Sequence, residues 1–320
     1  MRIFITGIAG FVGSHLAKLL VGKKNEVFGI CLGCEDTSNL ALVRRNIAIY
    51  KCDITDFPKF SELVKRIKPD QIYHLAGISS AGRSFSEPLA TFNTNIFGTI
   101  SLLEAVSQAK LNTKILIVGS GDMYGMVNKK DLPIKESQPL NPVSPYGASK
   151  AACDILAYQY FKSYGLKTIR VRSFSHTGPG QVLGFAIPDF CSQIARIEKG
   201  LIPPRMEVGD LSIIRDLTDV RDVVGGYVLL MRYGKAGEVY NVCSGKGYKL
   251  KDVLDKLLRF SSKKIKIVQD KNKKRKADIS ILIGDNSKMK KETGWKPRIS
   301  LEETLEDTLG YWRRKIGTER

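Results

Sequence analysis

The sequence predicts an α/β fold: a doubly wound parallel sheet with a smaller C-terminal α/β lobe that binds substrate. Three observations predict it. Short apolar runs alternate with amphipathic helical stretches through the first 175 residues. Continuous apolar runs of this kind mark strands covered on both faces, joined by right-handed crossovers. A glycine turn, Gly7-Ile8-Ala9-Gly10-Phe11-Val12-Gly13, follows the first run and opens the first helix. Beyond about residue 175 the alternation fails, and Gly178-Pro179-Gly180 opens an irregular stretch.

In order, residues 3–6 read as a strand, 12–21 as a helix, and 26–31 and 47–52 as short β-rich runs. Pro58 suits the first turn of a helix and not its middle, so the next helix covers 59–67 with Asp56 as its cap. Strands at 70–75 and 114–119 flank a long helical stretch around 93–109. A helix follows at 146–164 and a strand at 168–172. Later come a helix near 187–199, strands near 206–208 and 213–216, and a helix capped by Asp219 that runs to Tyr233. A strand at 238–242 and helices around 250–259 and 301–316 complete the chain. Residues 1–175 are assigned to the first domain. Residues 176–320 are mainly a lobe over the carboxyl edge of the sheet, where open α/β folds bind ligands, with one or more segments after 175 rejoining the first domain.

Composition bounds the function. A hydrophobic fraction of 43% and a charged fraction of 26% are those of a soluble globular protein. The longest apolar runs are strand-sized, so no membrane span is expected. Met1 leads straight into the first strand without a leader, which predicts a cytoplasmic protein. Six cysteines sit at 31, 34, 52, 153, 191 and 243. Cys31 and Cys34 form a Cys-x-x-Cys without a second pair or a histidine cluster, so no metal is expected and the thiols are read as unpaired. The net charge of +19 is concentrated in 263–276 and 288–291. These runs lack the interleaved aromatics of a single-strand binder and read as solvated surface that also attracts an anionic nucleotide; no nucleic acid partner is expected.

The chemistry lies in two constellations. Gly7, Gly10 and Gly13 allow a tight turn, close approach to a pyrophosphate and close helix–strand packing, with the amides around Phe11 and Val12 at the positive helix end. Tyr146 and Lys150 stand one helical turn apart on one face. A phenol has a pKa of about 10, and a nearby cation lowers it, so the pair can pass a proton to or from an oxygen. Ser120 ends the 114–119 strand and points into the cleft, where it can hydrogen-bond a substrate oxygen as charge develops. Hydride chemistry is the natural conclusion.

The Gly-x-x-Gly-x-x-Gly spacing together with Tyr-x-x-x-Lys resembles the extended short-chain dehydrogenase/reductase superfamily, whose dinucleotide domain is Rossmann-type. The resemblance implies that Asp53 and Ile54 contact the adenine. It implies that Leu75, Ala76 and Gly77, after His74, line the cofactor, and that Asn95 supports the active site beside it. Lys150 would hold the nicotinamide ribose and depress the Tyr146 pKa. The second strand ends in Cys31-Leu32-Gly33-Cys34 instead of an acid that would bind a ribose diol, with Glu35 and Asp36 slightly too late and Arg44 and Arg45 later still. NADP(H) is therefore favoured, with NAD(H) kept open.

From about residue 113 the resemblance narrows to GDP-4-keto-6-deoxy-D-mannose reductases and the related GDP-mannose 4,6-dehydratases. The motifs are PVSPYGASK at 142–150, HTGPGQ at 176–181, RDLTDVRD at 215–222, VYNVCSG at 239–245, IGDN at 283–286 and TGWKP at 293–297. They imply NAD(P)H-dependent reduction of a nucleotide 4-keto-6-deoxy-sugar, GDP-4-keto-6-deoxy-D-mannose going to GDP-D-rhamnose. Ser175 and His176 would lie beside the sugar diphosphate, and Gly184 and Phe185 would shape the entrance to the base pocket. Arg215 and Arg275 would contact phosphates. Asp122 stands where the dehydratases carry a Glu that eliminates water across C5–C6, and Ser175 where the family has Asn. The resemblance also implies a homodimer through a four-helix bundle of the 93–109 and 146–164 helices. A dehydratase or epimerase is the alternative. A non-catalytic cofactor sensor or nucleic-acid binder is a third class, against which the intact Ser120, Tyr146 and Lys150 argue.

Overall fold

The computed structural model describes residues 1–22, 24–33, 36–270 and 279–318. Six strands of the central sheet come in chain order: β1 (Arg2–Thr6), β2 (Glu26–Cys31), β3 (Ile47–Lys51), β4 (Gln71–His74), β5 (Lys114–Ser120) and β6 (Lys167–Ser173). The seventh is Val239–Val242, which pairs with β6. Across the sheet the order is Val239–Val242, β6, β5, β4, β1, β2, β3, and every pairing is parallel. The chain winds outward from β1 to β3, then restarts on the other side with β4. The crevice above the carboxyl ends of β1 and β4 is therefore the switch point where such sheets bind nucleotides.

Strand pleating sends successive side chains to opposite faces and so builds two cores. Ile3 and Ile5 join Leu16 and Ala17 of α1 (Phe11–Leu20). Phe4 joins Phe60 of α2 (Phe57–Ile67) on the other face. That second face also carries α3 (Ala81–Ser86), α4 (Pro88–Phe92), α5 (Gly98–Gln108) and α6 (Pro145–Tyr164). Helix α2 starts at Phe57, two residues before the expected 59, because Asp56 accepts the Lys59 amide and Pro58 fits inside the first turn. Helix α6 is delimited by its sequence: Ser144 accepts the Gly147 amide at 3.0 Å, Pro145 opens it, and Gly165 closes it at φ +68°.

The helical stretch expected over 93–109 is interrupted. A π-helical turn, Asn93–Phe97, separates α4 from α5. A 3.6-residue period cannot reveal a wide turn of this kind. Gly98 follows it because a Cβ there would stand 2.7 Å from Ile54 Cγ2.

The small lobe has its own core, built from α7 (Ala186–Glu198), the parallel pair Arg205–Val208 and Lys266–Gln269, and the helices Leu250–Arg259 and Leu301–Thr318. Helix α8 (Val220–Tyr233) instead packs on the first face of the main sheet with Met289 and Trp295. The Trp295 indole donates to the Asp222 carbonyl at 3.0 Å. Among the described residues no helix is long and apolar enough to cross a membrane, and no cluster of metal-ligating side chains is found. Cys31, Cys52, Cys153, Cys191 and Cys243 are free and buried. Cys34 and Arg275 lie outside the described residues.

Candidate active site

The glycine turn is a cradle with no room for side chains. Gly7 has φ +69°, and a Cβ on it would lie 3.0 Å from the Ala76 backbone. A Cβ on Gly13 would lie 2.2 Å from the Gly7 carbonyl oxygen. Gly10 caps α1, so no side chain occupies the first-turn amides around Phe11 and Val12. Those amides and the positive end of the helix suit a pyrophosphate, and the space a Cβ would fill suits its close approach.

Thr6 braces the two sides of the crevice. Its hydroxyl oxygen accepts the amides of Leu75 and Ala76, both at 3.1 Å, and lies 2.9 Å from His74 Nδ1. The other ring nitrogen of His74 lies 3.1 Å from the Thr99 hydroxyl. Burial, then the Lys150 charge, pushes the His74 pKa down to about 3, so the ring is neutral. Asn95, inside the π-helical turn, accepts the Ile78 amide at 2.8 Å and donates to the Ile78 carbonyl and the Ser149 hydroxyl. It thus pins the loop that contains Gly77 to α6. At the end of β3, Asp53 is exposed and accepts both the amide and the hydroxyl of Thr55 at 2.8 Å. Ile54 is buried against Gly98.

The structure brings Ser120, Tyr146 and Lys150 together. Ser120 is the last residue of β5, and its hydroxyl hydrogen-bonds the Tyr146 phenol and accepts the Asp122 amide at 3.1 Å. The Lys150 ammonium donates to the Val118 carbonyl at 2.8 Å. Burial lowers the Lys150 pKa. The Tyr146 pKa departs from expectation, since it is raised and not depressed. Burial is the largest cause and the Asp122 carboxylate the next, while the Ser120 hydrogen bond pulls the other way. A phenolate there would be both desolvated and near another anion, and both disfavour it.

Asp122 sits in the short turn Gly121–Tyr124 that follows β5. Behind it runs a network that sequence reasoning missed. The Tyr124 phenol donates to Asn241 Oδ1 at 2.7 Å and accepts from Arg172 at 3.1 Å. Asp154 accepts from Arg170 at 3.0 Å and from Arg172 at 3.1 Å. Two arginines inside an apolar strand run, and an aspartate one turn beyond Lys150, were the available signals.

The other predicted residues are placed as follows. Ser175 follows β6, and its carbonyl accepts the Thr218 amide at 3.1 Å. The His176 ring stacks on Phe11 of the glycine turn, 6.1 Å between centroids and 13° between planes, and burial lowers its pKa. The loop beyond it is held to the first domain, with His15 Nε2 2.8 Å from the Pro179 carbonyl and Asn39 donating to that of Gly180. Gly184, at φ +95°, and Phe185 precede α7, and the Gly184 amide donates to Asp189. Arg215 belongs to the small-lobe strand Ile214–Asp216, and one of its nitrogens donates to the carbonyls of Ile214 and Ile279.

Residues 4–308 match the model of the family described as GDP-mannose 4,6 dehydratase. The chain is 34% identical over 318 residues to the GDP-6-deoxy-D-mannose reductase of Pseudomonas aeruginosa, covering 99% of each. A solved structure from P. aeruginosa complexed with NADPH matches with a TM-score of 0.85 at 33% identity, over 98% of this chain and 99% of that one. The UDP-glucose 4-epimerase of Thermotoga maritima, solved with UDP-glucose, matches with a TM-score of 0.87 at 30% identity, over 99% and 100%. The chain therefore belongs to the GDP-mannose 4,6 dehydratase family, within the extended short-chain dehydrogenase/reductases, and is an NAD(P)-dependent nucleotide-sugar enzyme.

Proposed function

We propose that the protein reduces a nucleotide-linked 4-keto-6-deoxy-sugar, GDP-4-keto-6-deoxy-D-mannose, to GDP-D-rhamnose. The meeting of Ser120 at the end of β5 with Tyr146 and Lys150 of α6, beside the glycine turn, carries this reading. A phenol keeps its proton at neutral pH and can give it to an oxygen that gains charge, as a reduction requires. Bound NADPH or NADH supplies the hydride to C4 of the sugar. Tyr146 protonates the C4 oxygen, Ser120 hydrogen-bonds that oxygen, and Lys150 holds positive charge beneath the crevice. The reductase from P. aeruginosa, 34% identical across the chain, supports GDP as the nucleotide.

Asp122 favours a second reading, a 4,6-dehydratase, because its carboxylate raises the Tyr146 pKa from the same side of the crevice and is a candidate acid/base for the proton at sugar C5. Following absorbance at 340 nm with GDP-4-keto-6-deoxy-D-mannose, and identifying the product by NMR, separates the two. Stoichiometric loss of reduced cofactor with a 6-deoxyhexose product supports the reductase. Turnover of GDP-mannose without net cofactor loss supports the dehydratase.

A homodimer through α5 and α6 is part of the proposal. Leu89, Phe97, Ile155 and Tyr158 are 83%, 60%, 61% and 42% exposed on α4, the π-helical turn and α6. Burying such side chains against a second copy is the ordinary way to cover them. Sedimentation of the protein and of an Ile155→Glu variant tests it.

A further inference from the structure

The crevice end of β2 has no described carboxylate placed to chelate a ribose diol. Cys31 ends the strand with its side chain in the core beside α1, and Leu32 and Gly33 follow. Asp36, the next acid described, accepts the Ser38 amide at 2.8 Å and so closes its own turn. Asp53 is committed to Thr55.

A cation from the neighbouring strand reaches this place. Lys51 is the last residue of β3 and the register partner of Cys31. Its stem lies across Gly33, where a built Cβ would stand 2.6 Å from Lys51 Cδ and 2.7 Å from Cε. Gly33 has φ +83°, so the turn favours glycine and the missing side chain gives the lysine its path. Lys51 is exposed, and among the described residues no carboxylate pairs with it.

We propose that Lys51 binds the 2′-phosphate on the adenosine ribose of the cofactor and thereby selects NADPH over NADH. This inference rests on the reading of the glycine turn as a dinucleotide cradle. In such folds the group beside the end of the second strand meets the ribose 2′ position, where an acid takes a diol and a cation takes a phosphate. An ammonium on a flexible stem brings three donors to the phosphate oxygens. To a neutral 2′-hydroxyl it can donate only an ordinary hydrogen bond, so NADH gains less from it.

Titration calorimetry with 2′,5′-ADP and with 5′-ADP tests this without turnover. The wild type should bind 2′,5′-ADP about tenfold tighter, the gain of one charge-assisted hydrogen bond, with the difference shrinking as salt rises. Lys51→Ala should bring the ratio to about one, mainly by weakening 2′,5′-ADP, while Lys51→Arg should keep the preference. Thermal melts confirm that each variant is folded. Equal affinities in the wild type, or an undiminished preference in Lys51→Ala, overturn the proposal. Failure of the folded wild type to bind either nucleotide, or NADPH, overturns the cradle reading as well.

Discussion

The Lys150 ammonium donates to the Val118 carbonyl at 2.8 Å, which ties α6 to the strand that ends in Ser120. One bond thus holds α6 against β5 and keeps the ammonium beside Gly77. Lys150→Met should lower kcat by about thirtyfold, the worth of a charge-assisted hydrogen bond of about 2 kcal/mol. Steady-state rates on protein shown to be folded check this. An unchanged kcat would reduce Lys150 to a structural anchor.

Tyr146→Phe keeps the ring and removes the proton. Reduction should slow by about 10²–10⁴-fold, while NADPH affinity stays within about twofold. Stopped-flow oxidation of bound NADPH and a fluorescence titration measure the two separately. Retention of the wild-type rate would sink the proton-transfer role.

The pH dependence of reduction follows from the direction of the Tyr146 shift. Because its pKa is raised, the protonated donor persists above the ordinary phenol value of about 10. The reductive kcat should therefore hold level from pH 7 to about 9. An alkaline fall with a midpoint near pH 8 would show that the cation overrides burial during turnover.

Stability should fall on the acid side. The His74 pKa is lowered from 6.5 to about 3, so the fold favours its neutral form. That contribution is complete above pH 6.5 and is lost as pH drops toward 3, at about 1.4 kcal/mol per unit. His15 and His176 are lowered as well and act in the same direction. Urea unfolding should show that the wild type loses roughly 1–2 kcal/mol more than His74→Asn between pH 6.5 and 5. Equal losses would remove His74 from the account.

Gly13→Ala tests the cradle. Its Cβ would meet the Gly7 carbonyl oxygen at 2.2 Å, so α1 must shift. A stability cost of about 1–3 kcal/mol and weaker NADPH binding are expected, read from unfolding curves and titration. Normal binding in the variant would show that the helix tolerates displacement.

What the sequence made legible was local. Apolar runs marked β1 to β6, the spacing of Gly7, Gly10 and Gly13 marked the turn, and one helical turn joined Tyr146 to Lys150. The unread features depend on residues that meet only after folding. Arg172 reaches Asp154 and Tyr124 across three elements, and His176 comes to rest on Phe11. The sign of the Tyr146 shift depends on burial and on Asp122, so motif spacing alone pointed the wrong way. The π-helical turn around Asn95 has no periodic signature.

The position of Val239–Val242 governs how the chain can be made. Until that strand leaves the ribosome, β6 presents one open hydrogen-bonding edge. Tyr227, Tyr240, Val242, Met289 and Trp295 also have yet to join the core against Val171. A nascent chain stopped near residue 175 thus carries the glycine turn, Ser120, Tyr146 and Lys150 but lacks one wall of its interior. Such a chain is prone to strand addition and aggregation. Completion of the sheet waits on contacts distant in sequence, which are the slow ones to form.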